Sequence, residues 1–176
     1  MSDTAELVVR ARDGDQSAFG LLYDRHARLV RAICYDATAH LASAEDLAQD
    51  VFLKAYQRLH QLRETDRFLP WLCEIARRAG HDWRRQPRRE VELPDEWSGV
   101  EPAARREEPQ IGELRETIRQ LPEDERMALH LFYLEEQPVV VARELLGLSQ
   151  SGFYKLLERA RNHAGAILRR NQESIR

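Results

Sequence analysis

Six arginines lie between positions 77 and 89 of the chain, and Asp82 is the only acidic residue among them. Guanidinium groups bind phosphate oxygens through paired, charge-assisted hydrogen bonds. A dense cluster of arginines therefore favours binding to a polyanion such as the backbone of DNA. The alternative interpretation is a charged surface that meets only solvent, because short charge patterns often occur without a ligand.

The arginine cluster falls on a segment whose apolar residues recur with a helical period. At about 100° per residue, one stripe of the predicted helix is apolar and consists of Leu72, Ile75, Ala76, Ala79 and Trp83. The opposite side carries Arg77, Arg78, His81, Arg84 and Arg85. Trp71 lies about 100° from the stripe, so its ring is either a stacking surface for a base or an edge of the core. Pro87 is expected to end this helix.

A second polar group, Asp46, Gln49 and Asp50, lies on one side of another predicted helix. The segment Ser43-Ala44-Glu45-Asp46 resembles a capping box and predicts that the helix begins there. The helix dipole favours acidic residues in a first turn, which is a structural explanation for Asp46. Gln49 and Asp50 lack that explanation, so we interpret the patch as a contact surface for a basic protein partner.

The C-terminal part of the sequence predicts a helix-turn-helix. Pro138 is expected to begin a short helix, Gly147 to end it in the left-handed conformation, and Ser149 to cap a long last helix. Ser151 and Lys155, near the start of that last helix, can reach base edges or phosphates in a major groove. A plain three-helix domain that binds only protein is the alternative interpretation.

The remaining pattern predicts an all-α fold of two small helical domains. Helical periods cover residues 5–12 and 18–37, and they restart at Ile111. Several prolines and little apolar periodicity before Ile111 indicate a flexible acidic linker. The predicted division is an N-terminal helical bundle at 1–86, a linker at 87–110 and a C-terminal helix-turn-helix domain at 111–176.

Charge is distributed unevenly over the 176 residues, whose formal net charge is −3. Residues 68–89 hold six arginines against two acids, and residues 143–170 hold six basic against two acidic residues. Residues 90–125, between them, hold twelve acids against four arginines. Such a chain can touch DNA at two places, while its own acidic segment weakens free binding by repulsion. We therefore expect a partner that supplies additional positive surface.

Composition and spacing argue against several other classes of function. No run of about 18 apolar residues occurs and residues 1–6 are polar, so no membrane span or secretion signal is predicted, and a cytoplasmic location is expected.

Cys34 and Cys73 lack a Cys-x-x-Cys spacing and are expected to be free buried thiols. His26 has no second ligand at helical spacing, which favours a packed histidine over a metal ligand. His81 and Asp82 are adjacent on a helix and diverge by about 100°. Neither a catalytic residue nor a metal or cofactor site is therefore predicted, and the protein is not expected to be an enzyme.

Four ordered blocks of the sequence resemble one protein family. They are residues 44–56, Phe68 with 71–77, 121–126, and 146–149 continued through 159–161. Together they are similar to the extracytoplasmic-function (ECF) group of sigma-70-type RNA polymerase sigma factors. The first block looks like the polymerase-binding helix of that family, the second like its promoter-melting helix, and the last two like its C-terminal domain. The resemblance covers nearly the whole chain apart from the linker, and four ordered blocks are more specific than any one.

The resemblance implies a role for each polar surface. Asp46, Gln49 and Asp50 would contact the clamp helices of the largest subunit of core RNA polymerase, and the loop at 60–67 would receive a flipped base of the minus-ten promoter element. The residues implied in minus-ten binding are Arg63, Trp71, Arg77, Arg78, His81, Arg84 and Arg85. Those implied in minus-thirty-five binding are Ser149, Gln150, Ser151, Tyr154, Lys155 and Arg159. Core RNA polymerase and promoter DNA are the implied partners, and an anti-sigma factor is a third partner that the family allows.

The chain departs from the family pattern at three places. Arg78 stands where the family often has Asn. Arg143 stands where a small alanine usually packs between the two helices of the helix-turn-helix, and Ala142 comes one place early. Gly152-Phe153-Tyr154 replaces the commoner Thr-Val-Lys, which leaves Lys155 one position later.

Two other classes of protein are kept as alternatives. A helix-turn-helix regulator that acts alone predicts tight, salt-sensitive binding to duplex DNA, whereas a sigma factor predicts weak binding until core polymerase is added. A helical adaptor that binds only protein predicts no dependence on a promoter at all.

Overall fold

The computed structural model describes residues 3–85 and 109–174, and no strand occurs within these two ranges. The helices are α1 (Asp3–Arg12), α2 (Gln16–Thr38), α3 (Leu41–Arg58), α4 (Phe68–Arg85), α5 (Pro109–Arg119), α6 (Glu123–Leu134), α7 (Pro138–Leu145) and α8 (Gln150–Ser174). Short 3-10 turns at Leu59–Gln61 and Thr65–Arg67 connect α3 to α4. The all-α prediction is confirmed. Pro87 and most of the predicted linker lie outside the described residues.

Helix α2 is the centre of the N-terminal bundle and packs against α1, α3 and α4. Its start is specified by Asp15, whose carboxylate accepts hydrogen bonds from the Ala18 N–H at 3.1 Å and from the Arg10 guanidinium at 2.7 Å. The hydrogen bond from Arg10 holds the pKa of Asp15 below its ordinary value. The side chains buried at the centre of the bundle include Leu22, Leu29, Val30, Val51 and Leu72.

Helix α3 begins at Leu41, two residues before the predicted start at Ser43. His40 occupies the N-cap position in an extended conformation, and its Nδ1 accepts the backbone N–H of Ser43 at 3.5 Å. The capping-box prediction is therefore wrong, because Ser43 already lies inside the first turn. Asp46 moves into the second turn, where the helix dipole stabilises a carboxylate much less. The structural explanation for this acid is correspondingly weaker.

Helix α4 lies alongside α2 in a parallel register. The rings of His26 and Phe68 are 5.9 Å apart near the start of α4, and a Cβ at Gly80 would lie only 2.9 Å from the Cβ of Ala37. Helix α2 ends one residue after Ala37, so α4 continues beyond it. Trp83 belongs to this projecting part and is 38% exposed. The prediction that Trp83 joins the buried stripe is wrong because, within the described residues, α2 ends too early to cover it.

The helix-turn-helix has the predicted local geometry. Gly147 has φ +66° after α7, a conformation that costs a glycine little. The Ser149 hydroxyl accepts the backbone N–H of Gly152 at 3.1 Å, which caps α8 as predicted. Helix α5 begins at Pro109, two residues before the predicted start of the C-terminal domain at position 111, because proline is well tolerated at the first position of a helix.

One apolar cluster joins the N-terminal helices to the C-terminal ones. Helix α6 packs against α2, and α7 packs against α4. The C-terminal residues of this cluster include Met127, Leu131, Val141, Ala142 and Phe153. A smaller cluster around Leu121, Leu157 and Ile167 lies between α6 and α8. The C-terminal helices therefore lie directly on the N-terminal bundle.

Candidate nucleic-acid interface

The outward face of α4 carries a row of cationic side chains. Arg78, His81, Arg84 and Arg85 are exposed, as the helical spacing predicted, and Arg77 is half-buried. Glu74 partly neutralises the row, since its carboxylate accepts a hydrogen bond from the Nε of Arg78 at 3.0 Å. The face nevertheless holds four arginines between positions 77 and 85, within about two and a half helical turns, which suits the repeated phosphates of a DNA strand.

A cavity of about 420 Å³ lies between α2, α3, α5 and α6, and a smaller cavity lies at the start of the helix that carries the cationic face. This smaller cavity has a volume of about 310 Å³ and is lined by the loop after α3, the first turn of α4 and Glu144 of α7. Arg63 in this loop and Trp71 in the first turn of α4 both line the cavity. Pockets for drug-sized ligands begin at about 300 Å³, so this cavity has room for a single unstacked base.

The acidic face of α3 is exposed and contains more than the predicted residues. Asp46, Gln49 and Asp50 all point outward. Leu53 is 55% exposed and Tyr56 is 39% exposed, and their spacing continues the same face toward the end of α3. The Tyr56 ring packs edge-on against Phe19 of α2 at 4.8 Å, which holds it in place.

The sequence analysis did not predict that this face of α3 continues with apolar side chains, although their spacing in the sequence indicates it. Leu53 and Tyr56 lie three and six residues after Asp50, outside the apolar side of α3. Apolar side chains exposed beside charged ones are a common mark of a protein-binding surface. The face therefore combines carboxylates that attract a basic partner with apolar area that such a partner can bury.

The first two turns of α8 present a polar surface. Ser149, Gln150, Ser151, Tyr154 and Lys155 are all exposed, and Tyr154 has 47% of its surface accessible. Their position at the start of the second helix of a helix-turn-helix is the one that enters a major groove in proteins of that type. This group of predicted residues is thus brought together at one end of α8.

Arg159 differs from the other predicted residues of α8 because it has a structural partner. Its Nε donates to the carboxylate of Glu125 at 2.8 Å, and the Nδ1 of His163 lies 3.0 Å from the other oxygen of that carboxylate. Glu125 is only 3% exposed. The pairing links α8 to the first turn of α6, so Arg159 contributes to the packing of the C-terminal helices.

The replacement at Arg143 causes no packing conflict. Ala142 is completely buried in the apolar cluster, whereas Arg143 is exposed. Ala142 is therefore the small buried residue of α7, one place before the position at which the family usually has alanine, and Arg143 faces solvent.

Two ion pairs connect the N-terminal cationic residues to the C-terminal helices. The Nε of Arg77 donates to Glu123 at 2.8 Å, and the Nε of Arg67 donates to Glu144 at 2.8 Å. Burial by itself would lower the pKa of Arg77 and raise that of Glu123, but the hydrogen bond and the opposite charges outweigh it. The pKa of Arg77 is consequently raised and that of Glu123 lowered. The hydrogen bond from Arg67 to Glu144 likewise raises the pKa of Arg67.

The described ranges contain few other groups that could bind a metal ion or act as a nucleophile. Among residues 3–85 and 109–174, no group of three or more His, Cys, Asp or Glu residues is placed to hold a metal ion. His26 is 2% exposed and packs as predicted. Cys34 and Cys73 are free and buried, and burial raises the pKa of Cys34 to about 12 and that of Cys73 further. None of the helices in these ranges combines the length and apolar character needed to cross a membrane.

Comparison with known proteins identifies the class. The family described as Sigma-70 region 2 matches residues 22–90. The ECF RNA polymerase sigma factor SigM of Bacillus subtilis (strain 168) is 32% identical over 155 residues, which are 85% of this chain and 94% of that protein. The RNA polymerase sigma-H factor of Pseudomonas aeruginosa is 32% identical over 141 residues, which are 72% of this chain and 73% of that protein.

A third relative is longer than this chain. The protein named "Probable RNA polymerase sigma factor RfaY" of Xanthomonas campestris pv. campestris is 36% identical over 162 residues, and the chain spans 40% of its length. Among solved structures, that of CnrH in complex with the cytosolic domain of CnrY matches with a TM-score of 0.68 at 26% identity. The match covers 95% of this chain and 97% of the other.

An all-α chain with region 2 of the sigma-70 family falls in the class of RNA polymerase sigma factors. Within that class, the match to SigM over nearly its full length is decisive, and the chain belongs to the ECF RNA polymerase sigma factors. As a member of this family it binds core RNA polymerase and directs promoter-specific initiation of transcription.

Proposed function

We propose that the α4 region binds the minus-ten element and helps to open it. The observation that carries this proposal is the base-sized cavity lined by Arg63 and Trp71 at the start of the cationic face of α4. A cavity followed by a row of arginines fits a single DNA strand from which one base has been turned outward. The residues proposed to hold the backbone are Arg77, Arg78, His81, Arg84 and Arg85.

The energetics of opening are consistent with this arrangement. Extruding a base from the duplex costs a few kcal/mol. Stacking of a base on an aromatic side chain returns about 1–3 kcal/mol, and Trp71 is placed to provide it. Binding of the displaced strand by arginines supplies the remainder through release of counterions.

We further propose that two other surfaces act in the same complex. Asp46, Gln49 and Asp50, together with Leu53 and Tyr56, bind the clamp helices of the largest polymerase subunit. The start of α8, with Ser149, Gln150, Ser151, Tyr154, Lys155 and Arg159, reads the minus-thirty-five element in a major groove. The corresponding division of the chain is a region 2 domain at 1–86, a linker at 87–110 and a region 4 domain at 111–176.

The proposed mode of action is binding alone. The chain is proposed to carry no catalytic residue and to use neither a metal nor a cofactor, with the bond-making steps of transcription left to the polymerase. It would work in the cytoplasm, where polymerase and promoter are found. The related CnrH has been solved in complex with the cytosolic domain of CnrY, and we propose a protein inhibitor, an anti-sigma factor, for this chain as well.

In vitro transcription with core polymerase over a library of genomic promoters tests the proposal. The chain should start transcripts from a defined subset of promoters only when core polymerase is present. Trp71→Ala should reduce promoter opening, while Trp83→Ala on the same helix, away from the cavity, serves as the matched control. Tight binding of the free chain to duplex promoters without polymerase would instead support a regulator that acts alone. Polymerase capture without any promoter dependence would support a helical adaptor.

A further inference from the structure

The cavity of about 420 Å³ between α2, α3, α5 and α6 is separate from the three proposed binding surfaces. Among the described residues, none of those proposed to bind polymerase or DNA lines it. Its size falls within the range of pockets that hold small-molecule ligands. The lining residues of each helix are spaced three or four positions apart, so each helix turns one stripe toward the cavity. Helices from both halves of the chain thus build one wall.

Three arginines give this wall a positive charge. Arg28 and Arg31 come from α2, and Arg115 comes from α5. The acids of the wall are Asp36 and Glu45, and Asp36 is already neutralised by its ion pair with α6. A net positive charge therefore remains inside the cavity, which favours an anionic ligand.

Arg28 and Arg31 are available to such a ligand. Both are exposed, and no carboxylate in the described part of the chain pairs with either of them. Arg25, one turn earlier on the same helix, instead binds Asp3. Residues three apart on a helix are neighbours, so the two guanidiniums lie side by side at the edge of the cavity. Two forked donors of this kind match the oxygens of a phosphate group.

The wall beyond these two arginines suits the planar part of a ligand. The guanidinium of Arg115 lies over the ring of Tyr35, 5.4 Å from its centroid. Leu41, Ile118 and Leu134 supply apolar surface to the same cavity. Guanidinium groups and aromatic rings both stack on planar rings such as nucleobases. The cavity therefore combines donors for phosphate with a surface for stacking.

Buried contacts hold the polar side of the cavity in place. Asp36 accepts a hydrogen bond from the Nε of Arg126 at 3.0 Å, and the Nε2 of His130 lies 3.1 Å from the same oxygen. None of these three side chains is more than 12% exposed. Arg126 also donates to the backbone carbonyl of Leu121 at 2.6 Å. A lining that is already ordered lowers the entropic cost of binding a small ligand.

We propose that this cavity is a binding site for a small phosphorylated molecule that carries a planar ring, such as a nucleotide. Its phosphate binds Arg28 and Arg31, and its ring lies against Tyr35, Arg115 and the apolar residues of the wall. Because helices of both halves build the wall, the ligand binds only while α5 and α6 lie on α2 and α3. Its binding therefore stabilises the folded chain against unfolding. The inference does not depend on the proposed roles of α3, α4 and α8.

Thermal unfolding and isothermal titration calorimetry of the full chain with three probes test the site. ADP should bind and raise the melting temperature, since its phosphates and its ring both find partners. Adenosine, which lacks phosphate, and pyrophosphate, which lacks a ring, should each bind at least about tenfold more weakly than ADP. Equal binding by either fragment would overturn the proposal, and so would the absence of ADP binding at millimolar concentration.

Two variants distinguish the cavity from general surface charge. Arg28→Gln combined with Arg31→Gln changes only exposed side chains and should weaken ADP binding at least about tenfold. Arg58→Gln combined with Arg169→Gln makes the same charge change at positions that do not line the cavity, and is the control. Ala32→Leu keeps every charge but fills part of the cavity, so it should also weaken ADP binding. Circular dichroism without ligand checks that each variant folds. Unchanged ADP binding by either cavity variant would refute the site.

Discussion

Asp36 of α2 and Arg126 of α6 are ninety residues apart in the chain and meet across 3.0 Å, with both side chains nearly buried. Arg126 keeps two backbone carbonyls as further acceptors, whereas Asp36 is the only carboxylate that the described contacts give it. The Nε2 of His130 lies 3.1 Å from the same Asp36 oxygen, so removing Asp36 measures what its contacts with Arg126 and His130 contribute together.

Asp36→Ala should lower the free energy of unfolding by about 2 kcal/mol, because a nearly buried carboxylate and its contacts with Arg126 and His130 are lost. The loss should stay below the several kcal/mol seen when a buried ion loses every partner, since Arg126 retains its carbonyl acceptors. Urea denaturation followed by circular dichroism measures the change. Asp24→Ala, an exposed acid on the same helix, is the control. A loss no larger than that of the control would contradict the structural role of this contact.

Reversing the charge of the α3 face should abolish capture by core polymerase. Asp46→Arg combined with Asp50→Arg replaces the attraction for a basic partner with repulsion, and we expect binding to weaken at least about tenfold. A pull-down with purified core enzyme measures it. Asp13→Arg combined with Asp24→Arg makes the same charge change at exposed positions away from that face. Retention of polymerase binding by the α3 variant would refute the role of Asp46 and Asp50.

Reversing the charge at the end of α4 should impair promoter opening but not polymerase binding, the opposite of the effect expected for the α3 face. Arg84→Glu combined with Arg85→Glu should reduce promoter opening while polymerase binding stays intact. The affinity for DNA should also depend less steeply on salt. The slope of log affinity against log salt concentration should fall by about 0.7 for each phosphate contact to a single strand that is lost. Permanganate footprinting of the open promoter provides the readout. Arg58→Glu combined with Arg169→Glu is the matched control, and an equal defect in that control would exclude a local role for the α4 face.

The ion pair between Arg77 and Glu123 should contribute stability at neutral pH and lose it in acid. The pKa of Glu123 is lowered in the folded chain from an ordinary value of 4.5, so the unfolded chain binds more protons between the two values. The contribution is fully present above pH 4.5 and is lost as the pH falls through the lowered pKa of Glu123. Because the pair is partly exposed, its size should be at most about 1 kcal/mol. Comparing the unmodified chain with Glu123→Gln across this range measures it. A difference that grows on acidification would have the wrong sign.

The two thiols should be unreactive while the chain is folded. Cys73 is fully buried and the pKa of Cys34 is raised to about 12, so neither forms a thiolate at pH 8 in the native state. Labelling with a disulfide reagent should therefore proceed at the rate of unfolding and accelerate in urea. Rapid labelling of either cysteine without denaturant would show that the region around α2 and α4 opens locally.

Much of the local structure follows from the sequence because it depends on neighbouring residues. Gly147 and Ser149 specify the turn before α8 through backbone conformation and one side-chain hydrogen bond, and both are correctly predicted. The exposed positions of Asp46, Asp50 and Arg84 likewise follow from the period of their helices. The capping box predicted at Ser43 is absent because His40, a residue type that is uncommon at helix starts, occupies the N-cap position three residues earlier.

Helical period and capping thus determined which residues share a face, because the direction of a side chain on a helix is a property of the backbone around it. Only the tertiary structure decided what each face meets. Trp83 is exposed because α2 ends too early to cover it, and Arg77 binds Glu123 because α6 docks on α2. Such contacts join residues far apart in the chain, and they depend on helix lengths and on long-range packing that no local pattern encodes.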